Sequence, residues 1–305
     1  MRVIRCRSEL GLSAWIKQGQ PDFRTGPKIQ TVWGFSEALI FLLEGTGVTV
    51  LSFSMLLKWP LMTLVGLAAI TIAILLLLKH LGHPTRAIKV LTGLKGSWIS
   101  RGTLFLGSCF VVGCLWLLVN FWAGAAWTSV RTILTVLACC LSAIILMYPG
   151  FVLAYSDSIP FWHSGMLPLF FALNGISTGL SLILLYGLMK SIAIVFILRK
   201  LTWLQVIVLS TLLIIAFAYL EVMRKTGRGA RLSVEVLVKQ ERLIFAVFGC
   251  LIGTVVPLVL ILLAMTHVLV GSTLILMLIS AICRSSGDLA LRYSFLRVGM
   301  YDPIY

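Results

Sequence analysis

The chain has 305 residues, of which 60% are hydrophobic and only 11% are charged, and its formal net charge is +15. Soluble domains carry about 25% charged residues, so this composition excludes an ordinary soluble protein and favours a polytopic membrane protein. The seven cysteines form no CxxC pair, so neither a disulfide framework nor an iron–sulfur cluster is predicted. Residues 1–30 are polar and basic and lack the apolar core of a cleavable signal.

Eight apolar stretches are long enough to cross the hydrocarbon of a bilayer, which takes about 20 residues. They predict an all-α fold, an eight-transmembrane-helix bundle that forms a single integral membrane domain. The last stretch has only sixteen uncharged residues before Arg284, so we expect protein or the interface to shield its far end. The predicted spans are 32–57, 60–78, 103–124, 132–154, 166–188, 203–220, 243–264 and 268 to about 291, between a basic tail (1–31) and a C-terminal tail (292–305).

The lysines and arginines are distributed very unevenly between the two sides of the predicted bundle. The side that holds both termini has 20 of them, and the opposite side has five. The positive-inside rule therefore places both termini and the loop after His80 in the cytoplasm. We expect the chain to lie in the inner (plasma) membrane of the cell. The same asymmetry accounts for most of the net charge, so no nucleic-acid partner is predicted. Segment 190–201, an apolar octet with cations at both ends, is expected to lie on the membrane surface.

Two carboxylates interrupt the first span. Glu37 and Glu44 are seven residues apart, so on a helix they share one face about 10 Å apart along the axis. Ionisable groups inside a membrane are costly and by default indicate function. One interpretation is a ladder of carboxylates for proton transfer, and the other is structural pairing of each carboxylate with a neighbour. Gly45 and Gly47 beside them predict close packing of another helix.

The eighth span carries Asp288 and Arg292, which are four residues apart and can pair along one helix face. A structural ion pair that closes the bundle is one interpretation. Membership in the same proton path as the two glutamates of the first span is the other.

None of the four histidines lies in the middle of a predicted span. A haem-binding anchor needs axial histidines that project from helix interiors, so no haem is predicted. His80 instead ends the second span, where an imidazole can hydrogen-bond a quinone carbonyl and relay its proton. In segment 147–179 the side chains that can join it are Tyr148, Tyr155, Trp162 and His163, although Tyr155 and Trp162 also suit an interfacial aromatic belt.

Three stretches resemble the NrfD/polysulfide-reductase and DMSO-reductase membrane-anchor (DmsC-like) superfamily. "HLGHPTRAIKVLTGLKGSWIS" (80–100) is similar to the hairpin of these anchors. "MYPGFVLAYSDSIPFWHSGMLPLFFALNGISTG" (147–179) resembles their fourth span and the loop into the fifth, and "SGDLALRYSFLRVGM" (286–300) resembles their C-terminal helix end. Trp33 and Gly34 match the W-G that opens the first span of the NrfD type. The resemblance covers nearly the whole chain.

The resemblance implies a subunit that is not catalytic by itself. It would pass electrons between membrane quinone (menaquinone or ubiquinone) and a ferredoxin-like iron–sulfur subunit, which serves a molybdopterin-type catalytic subunit. The resemblance implies a quinone site at His80 and Tyr148, and we expect Trp33, Arg86, Trp98 and His163 around it. The DMSO-reductase type has a glutamate where this chain has Arg101 and Gly102, and Glu37 is a candidate substitute.

Two alternatives remain open at this point. One is a proton-coupled secondary transporter that uses Glu37, Glu44 and Asp288 as coupling carboxylates. Such transporters usually contain internal repeats, and spans 1–4 do not convincingly match spans 5–8. The other alternative is a redox-driven proton-translocating subunit of the same superfamily, in which Glu37, Glu44, Asp288 and Arg292 transfer protons.

Overall fold

Long apolar helices make up most of the protein, and the computed structural model describes residues 28–80, 98–122, 127–190, 195–266 and 270–301. Within these ranges eight helical stretches are long and apolar enough to cross a membrane, which confirms the predicted all-α membrane bundle. The helices are α1 (Phe35–Leu56), α2 (Pro60–His80), α3 (Trp98–Trp122), α4 (Thr128–Ala154), α5 (Met166–Lys190), α6 (Val195–Thr226), α7 (Arg228–Lys239), a π-helical segment (Leu243–Val255) continued by α8 (Val256–Thr266), and α9 (Val270–Arg297).

Several helix ends differ from the predicted spans, and three of the larger differences involve charged residues. α6 begins at Val195, so residues 195–201 start a membrane-spanning helix and the predicted surface segment is wrong there. α3 begins at Trp98, five residues before the predicted start, and α9 continues to Arg297. Because charged residues lie near these ends, the hydropathy pattern predicts helices that are shorter than those observed. They are tolerated because long cationic side chains reach towards water, or because the charges pair inside the protein.

α1 and α5 form the centre of the bundle. Their most apolar stretches are 67% and 72% buried, whereas those of the other six spans are at most 44% buried. A Cβ atom on Gly45 of α1 would lie 3.1 Å from the Cα atom of Gly175 of α5, so the two backbones are in direct contact. Small residues let membrane helices approach this closely, which confirms the close packing predicted at Gly45.

The π-helical segment packs its glycines against α9. A Cβ atom on Gly287 would lie 2.0 Å from the Cα atom of Gly253, so neither position has room for a side chain. The Thr254 hydroxyl donates to the Gly249 carbonyl five residues earlier, at 3.3 Å. π-helical turns often accompany functional sites. In this segment the carbonyl of Gly253 accepts a hydrogen bond from a buried arginine, Arg284.

The two ends of the described chain meet at one end of the bundle. Strand β1 (Lys28–Ile29) pairs antiparallel with β2 (Met300–Tyr301), and the Gln30 amide donates to the Gly299 carbonyl at 2.8 Å. The loop between α4 and α5 lies beside them, because the Trp162 indole donates to the Phe295 carbonyl at 3.0 Å. Trp162 is therefore buried in the protein and does not belong to an interfacial belt.

Candidate functional site

A cavity of about 330 Å³ lies at the end of the bundle that carries the terminal strands. It lies where α1 and α3 begin and where α2 ends, and α4 closes one side. Glu37 and Tyr148 contribute its polar groups, and the remaining lining is apolar: Val32, Trp33, Ile40, Phe41, Leu77 and Ile99. A few polar groups on an apolar wall are typical of small-molecule sites. The structure thus brings together Trp33, Glu37 and Tyr148, which were separate candidates in the sequence.

Trp33 is held in place by a buried glutamine. The Gln30 side-chain oxygen accepts a hydrogen bond from the Trp33 amide at 2.8 Å, and its nitrogen donates to the Trp33 carbonyl at 2.7 Å. The same nitrogen donates to the Leu296 carbonyl of α9 at 2.7 Å. The Trp33 ring stacks on Phe41 at 6.0 Å and meets the edge of Trp162 at 6.3 Å. These contacts fix one wall of the cavity.

Glu37 caps the start of α1. Its Oε2 accepts a hydrogen bond from the Gly34 amide at 2.7 Å, which is one half of a capping box, because glycine has no side chain to return the bond. A carboxylate in the first turn also interacts favourably with the positive end of the helix dipole. The carboxylate that lines the cavity therefore has a fixed position.

Tyr148 lies between the cavity and a second groove. The groove has a volume of about 340 Å³ and is lined by Tyr148, Gly102, Trp98 and Phe151, among others. The Trp98 ring stacks on Phe151 at 5.2 Å, and the Arg101 guanidinium lies 4.9 Å from the Trp98 ring centre. Trp98 is therefore a neighbour of Tyr148, but it lines the groove and not the cavity of Glu37.

Gly102 makes the position of Tyr148 possible. A Cβ atom on Gly102 would lie 2.1 Å from Cε2 of Tyr148, which is far closer than side chains tolerate. The absence of a side chain at Gly102 thus leaves room for the Tyr148 ring.

Gly102→Ala is expected to lower the free energy of unfolding by about 1–3 kcal/mol, because the methyl group displaces the Tyr148 ring. Thermal unfolding of the purified full-length protein measures this change. Gly107→Ala is the matched control in the same helix, since a Cβ atom there meets nothing within 4 Å. Equal stabilities of the two variants would contradict the packing described here.

Glu44 lies deeper in the bundle, two turns of α1 beyond Glu37. It is 2% exposed, and its Oε2 has no hydrogen-bond partner among the described residues. Glu44 lies within electrostatic range of Arg292 and of Tyr148. Glu44 is therefore near both the tyrosine of the cavity and the charged residues of α9.

The charged residues of α9 form a buried cluster around Asp288. Arg292 Nε donates to Asp288 Oδ1 at 2.7 Å, which confirms the pairing predicted from their spacing. Arg284 Nη2 lies 3.8 Å from the same carboxylate oxygen, and the Thr178 hydroxyl donates to Oδ2 at 2.8 Å. The three charged side chains are at most 1% exposed. The predicted shielding of this span by protein is also confirmed.

The two arginines of the cluster carry one more charge than Asp288 balances. Arg284 donates to the Gly253 carbonyl at 2.6 Å and to the Asn174 side-chain oxygen at 2.5 Å. Its Nε and the Nη1 of Arg292 have no hydrogen-bond partner among the described residues. An ionised Glu44 would bring the formal charge of the group to zero. Unpaired buried donors and acceptors are costly, so this group is suited to bind internal water.

The predicted histidines differ in their position relative to the cavity. His80 is the last residue of α2, three residues after Leu77, which lines the cavity. His83 and Arg86 lie outside the described residues. His163 is exposed, and its Nδ1 lies 2.9 Å from the Ala154 carbonyl and 3.3 Å from Asp157. The structure therefore does not bring His163 to the cavity.

Sequence reasoning missed several residues of the site. Arg284 was not paired with any residue in the sequence, although its spacing of four from Asp288 and of eight from Arg292 places all three on one helix face. Asn174 is the single Asn or Gln side chain in the predicted span 166–188. A lone amide inside a membrane span indicates a buried polar contact. Gln30 and Gly102 carried no local signal, because their roles depend on residues distant in sequence.

Comparison with known proteins gives one family. The family model "Polysulphide reductase, NrfD" matches residues 25–302, which is nearly the whole chain. No curated protein matches the sequence significantly. Among the described residues, no group of three or more His, Cys, Asp or Glu side chains could hold a metal ion.

Proposed function

This chain belongs to the NrfD family, and we propose that it is the quinone-reactive membrane anchor subunit of an oxidoreductase complex. It exchanges electrons between membrane quinone, menaquinone or ubiquinone, and an iron–sulfur subunit that serves a molybdopterin-type catalytic subunit. The cavity at Trp33, Glu37 and Tyr148 carries the proposal. Its volume falls at the lower end of the range of small-molecule sites, about 300–1,000 Å³.

The residues of the cavity suit a flat ring with two oxygen substituents. Trp33 offers an aromatic wall, and the Tyr148 hydroxyl can donate a hydrogen bond to a ring oxygen. Glu37 can accept a proton, and His80 at the end of α2 is the second candidate for this role. A bound quinol supplies two electrons and two protons on oxidation. The chain holds the ring and moves the protons, while the electrons leave to the partner subunit.

Glu44 and the cluster on α9 extend this proposal to proton transfer. The buried carboxylate of Glu44 is near both Tyr148 and Arg292, and one of its oxygens has no partner among the described residues. We propose that Glu44 exchanges protons with the cavity, with Asp288 and Arg292 compensating the change in charge. This favours the redox-driven proton-translocating alternative over the secondary transporter, because the buried carboxylate adjoins the proposed quinone site.

Glu37→Gln and Glu44→Gln are each expected to slow quinone-linked turnover of the assembled complex by about 10²-fold or more, because each removes a proton acceptor. Glutamine at position 37 keeps the cap of α1. Turnover with soluble artificial electron donors should not change, and Glu235→Gln on the exposed face of α7 is the control. A normal rate in Glu37→Gln would contradict the quinone site, whereas a normal rate in Glu44→Gln alone would make Glu44 structural.

We propose that the partner subunits bind at the end of the bundle that carries the cavity and the terminal strands. α7 lies at that end, because it contacts β2. Its inner face buries Ala230, Val234 and Leu237, while Arg228 and Arg231 are exposed. Arg284 and Arg292, two of the 20 cations assigned to this side, are buried inside the bundle. The remaining excess of positive charge still supports a cytoplasmic location of this end.

Reporter fusions at Tyr305 and near Gly93 are therefore expected to report the cytoplasm. A fusion near Gly124, between α3 and α4, should report the opposite side and serves as the control. Activity of both a cytoplasmic and a periplasmic reporter at each position gives the measurement. Reversal of all three results would place the partner subunits outside the cytoplasm.

A further inference from the structure

A buried glutamine joins the terminal strands to the wall of the proposed quinone cavity. Gln30 directly follows β1 and is 4% exposed. Its backbone amide donates to the Gly299 carbonyl at 2.8 Å, next to β2. Its side-chain nitrogen donates to the Leu296 carbonyl of α9 and to the Trp33 carbonyl, both at 2.7 Å. Gln30 therefore holds the C-terminal end of the described chain and the aromatic wall of the cavity together.

The side chain of Gln30 uses its full hydrogen-bonding capacity. Its oxygen accepts from the Val32 amide at 2.9 Å and from the Trp33 amide at 2.8 Å, in addition to the two bonds that its nitrogen donates. A glutamine amide has two donor hydrogens and two acceptor lone pairs, so all four are engaged. An ionised glutamate could not donate, and a methionine of similar length could make none of these bonds. The turn that presents Trp33 to the cavity therefore depends on glutamine at this position.

A second connection between the terminal strands and Trp33 runs through Trp162. The edge of the Trp162 ring meets Trp33, with 6.3 Å between the ring centres, and its indole donates to the Phe295 carbonyl at 3.0 Å. A Cβ atom on Gly299 would lie 2.7 Å from Cζ2 of Trp162 and 3.2 Å from Cγ of Gln30. Gly299 therefore packs against both residues that support Trp33. Neither Gly299 nor Gln30 lines the cavity itself.

We propose that Gln30 and Gly299 are positioning residues for quinone, because they hold Trp33 in place and so make the affinity of the cavity depend on the terminal strands. This inference rests on the proposed function, since it requires a quinone ring to bind against Trp33. A wall that is already in its bound position needs little ordering when a ligand binds, so the ligand binds more tightly. Loss of these contacts lowers the affinity for quinone even though every residue that lines the cavity remains.

The first test measures turnover of the assembled complex in membranes over a range of concentrations of decylubiquinone and of menadione. Gln30→Met keeps the length of the side chain and removes its four hydrogen bonds. The KM for quinone should rise about tenfold, the equivalent of one or two hydrogen bonds. The kcat should change about twofold or less, because Trp33 holds the ring equally in the ground state and the transition state. Turnover with a soluble artificial electron donor should not change.

Gln205→Met is the matched control, because it separates loss of stability from loss of positioning. Gln205 is also a buried glutamine, and its nitrogen donates to the carbonyl and the hydroxyl of Ser177 at 3.0 and 3.1 Å. It does not line the quinone cavity. Both variants should lower the temperature of thermal unfolding, whereas only Gln30→Met should raise the KM for quinone. An equal rise of the KM in both variants would overturn the proposal, because the role of Gln30 would then be structural alone.

Gly299→Ala tests the same connection from the C-terminal side, and it keeps the test decisive where Gln30→Met yields too little folded complex. The added methyl group displaces Trp162, so the KM for quinone should rise about fivefold. Gly165→Ala is its control and should leave the KM unchanged, since a Cβ atom there meets nothing within 4 Å.

Two results would contradict the inference in different ways. A normal KM in both Gln30→Met and Gly299→Ala, together with the expected loss of turnover in Glu37→Gln, would overturn the inference alone. A parent complex that turns over neither quinone would overturn the proposed function and the inference together.

Discussion

Replacement of His80 by alanine is expected to abolish turnover with quinone substrates while turnover with a soluble artificial electron donor continues unchanged. His80 ends α2, three residues after Leu77 of the cavity. Loss of a hydrogen bond to a ring oxygen costs about 1–3 kcal/mol, with the upper values for charged donors. Loss of a proton relay lowers the rate by a further factor of about 10²–10⁴. Both activities are measured on membranes that contain the assembled complex.

Three further variants separate this site from its surroundings. Tyr148→Phe should act in the same direction but more weakly, because the ring remains and only a hydroxyl is lost. His163→Ala should leave both activities unchanged, because the ring of His163 is exposed and lies against Ala154 and Asp157. His83→Ala is expected to be nearly silent as well. A full quinone-linked rate in His80→Ala would place the quinone site elsewhere in the bundle.

The number of membrane spans could be predicted from the sequence, but several of their ends could not. Apolar length alone identifies a span, because each helix must cross the same thickness of hydrocarbon. α9 continues past Arg284, Asp288 and Arg292 because these side chains satisfy one another and the carbonyl of Gly253. Burial of such a cluster depends on tertiary contacts, which a hydropathy pattern does not contain.

The candidate site was predictable where a side chain was unusual in its own segment. Glu37 stood out as a carboxylate in an apolar span, and Tyr148 was implied by family resemblance, and both line the cavity. His163 seemed equally suitable in the sequence, but the loop turns it towards Asp157. The role of Gln30 could not be predicted from the sequence, because it depends on hydrogen bonds to Trp33 and to α9, which is distant in sequence.

Asp288→Ala is expected to destabilise the protein by about 3–5 kcal/mol, the cost of leaving buried charges without their partner. Arg284 and Arg292, at most 1% exposed, would both lose the carboxylate between them, and Thr178 would lose its acceptor. We therefore expect a strong loss of folded protein in the membrane. The yield of full-length protein and its thermal unfolding in detergent measure the effect.

Asp288→Asn separates the charge from the packing, because asparagine keeps the shape and can still accept a hydrogen bond from the Thr178 hydroxyl. It should be nearly as harmful as alanine, since the two guanidinium groups remain uncompensated. Glu235→Ala is the matched control, because Glu235 also pairs with two cations, Arg231 and Lys239, but on the exposed face of α7. Exposed pairs contribute about 0–1 kcal/mol. If Asp288→Ala destabilised the protein as little as Glu235→Ala, we would conclude that water reaches the cluster. The ion pairs of Asp288 would then contribute no more to the stability of the protein than exposed pairs do.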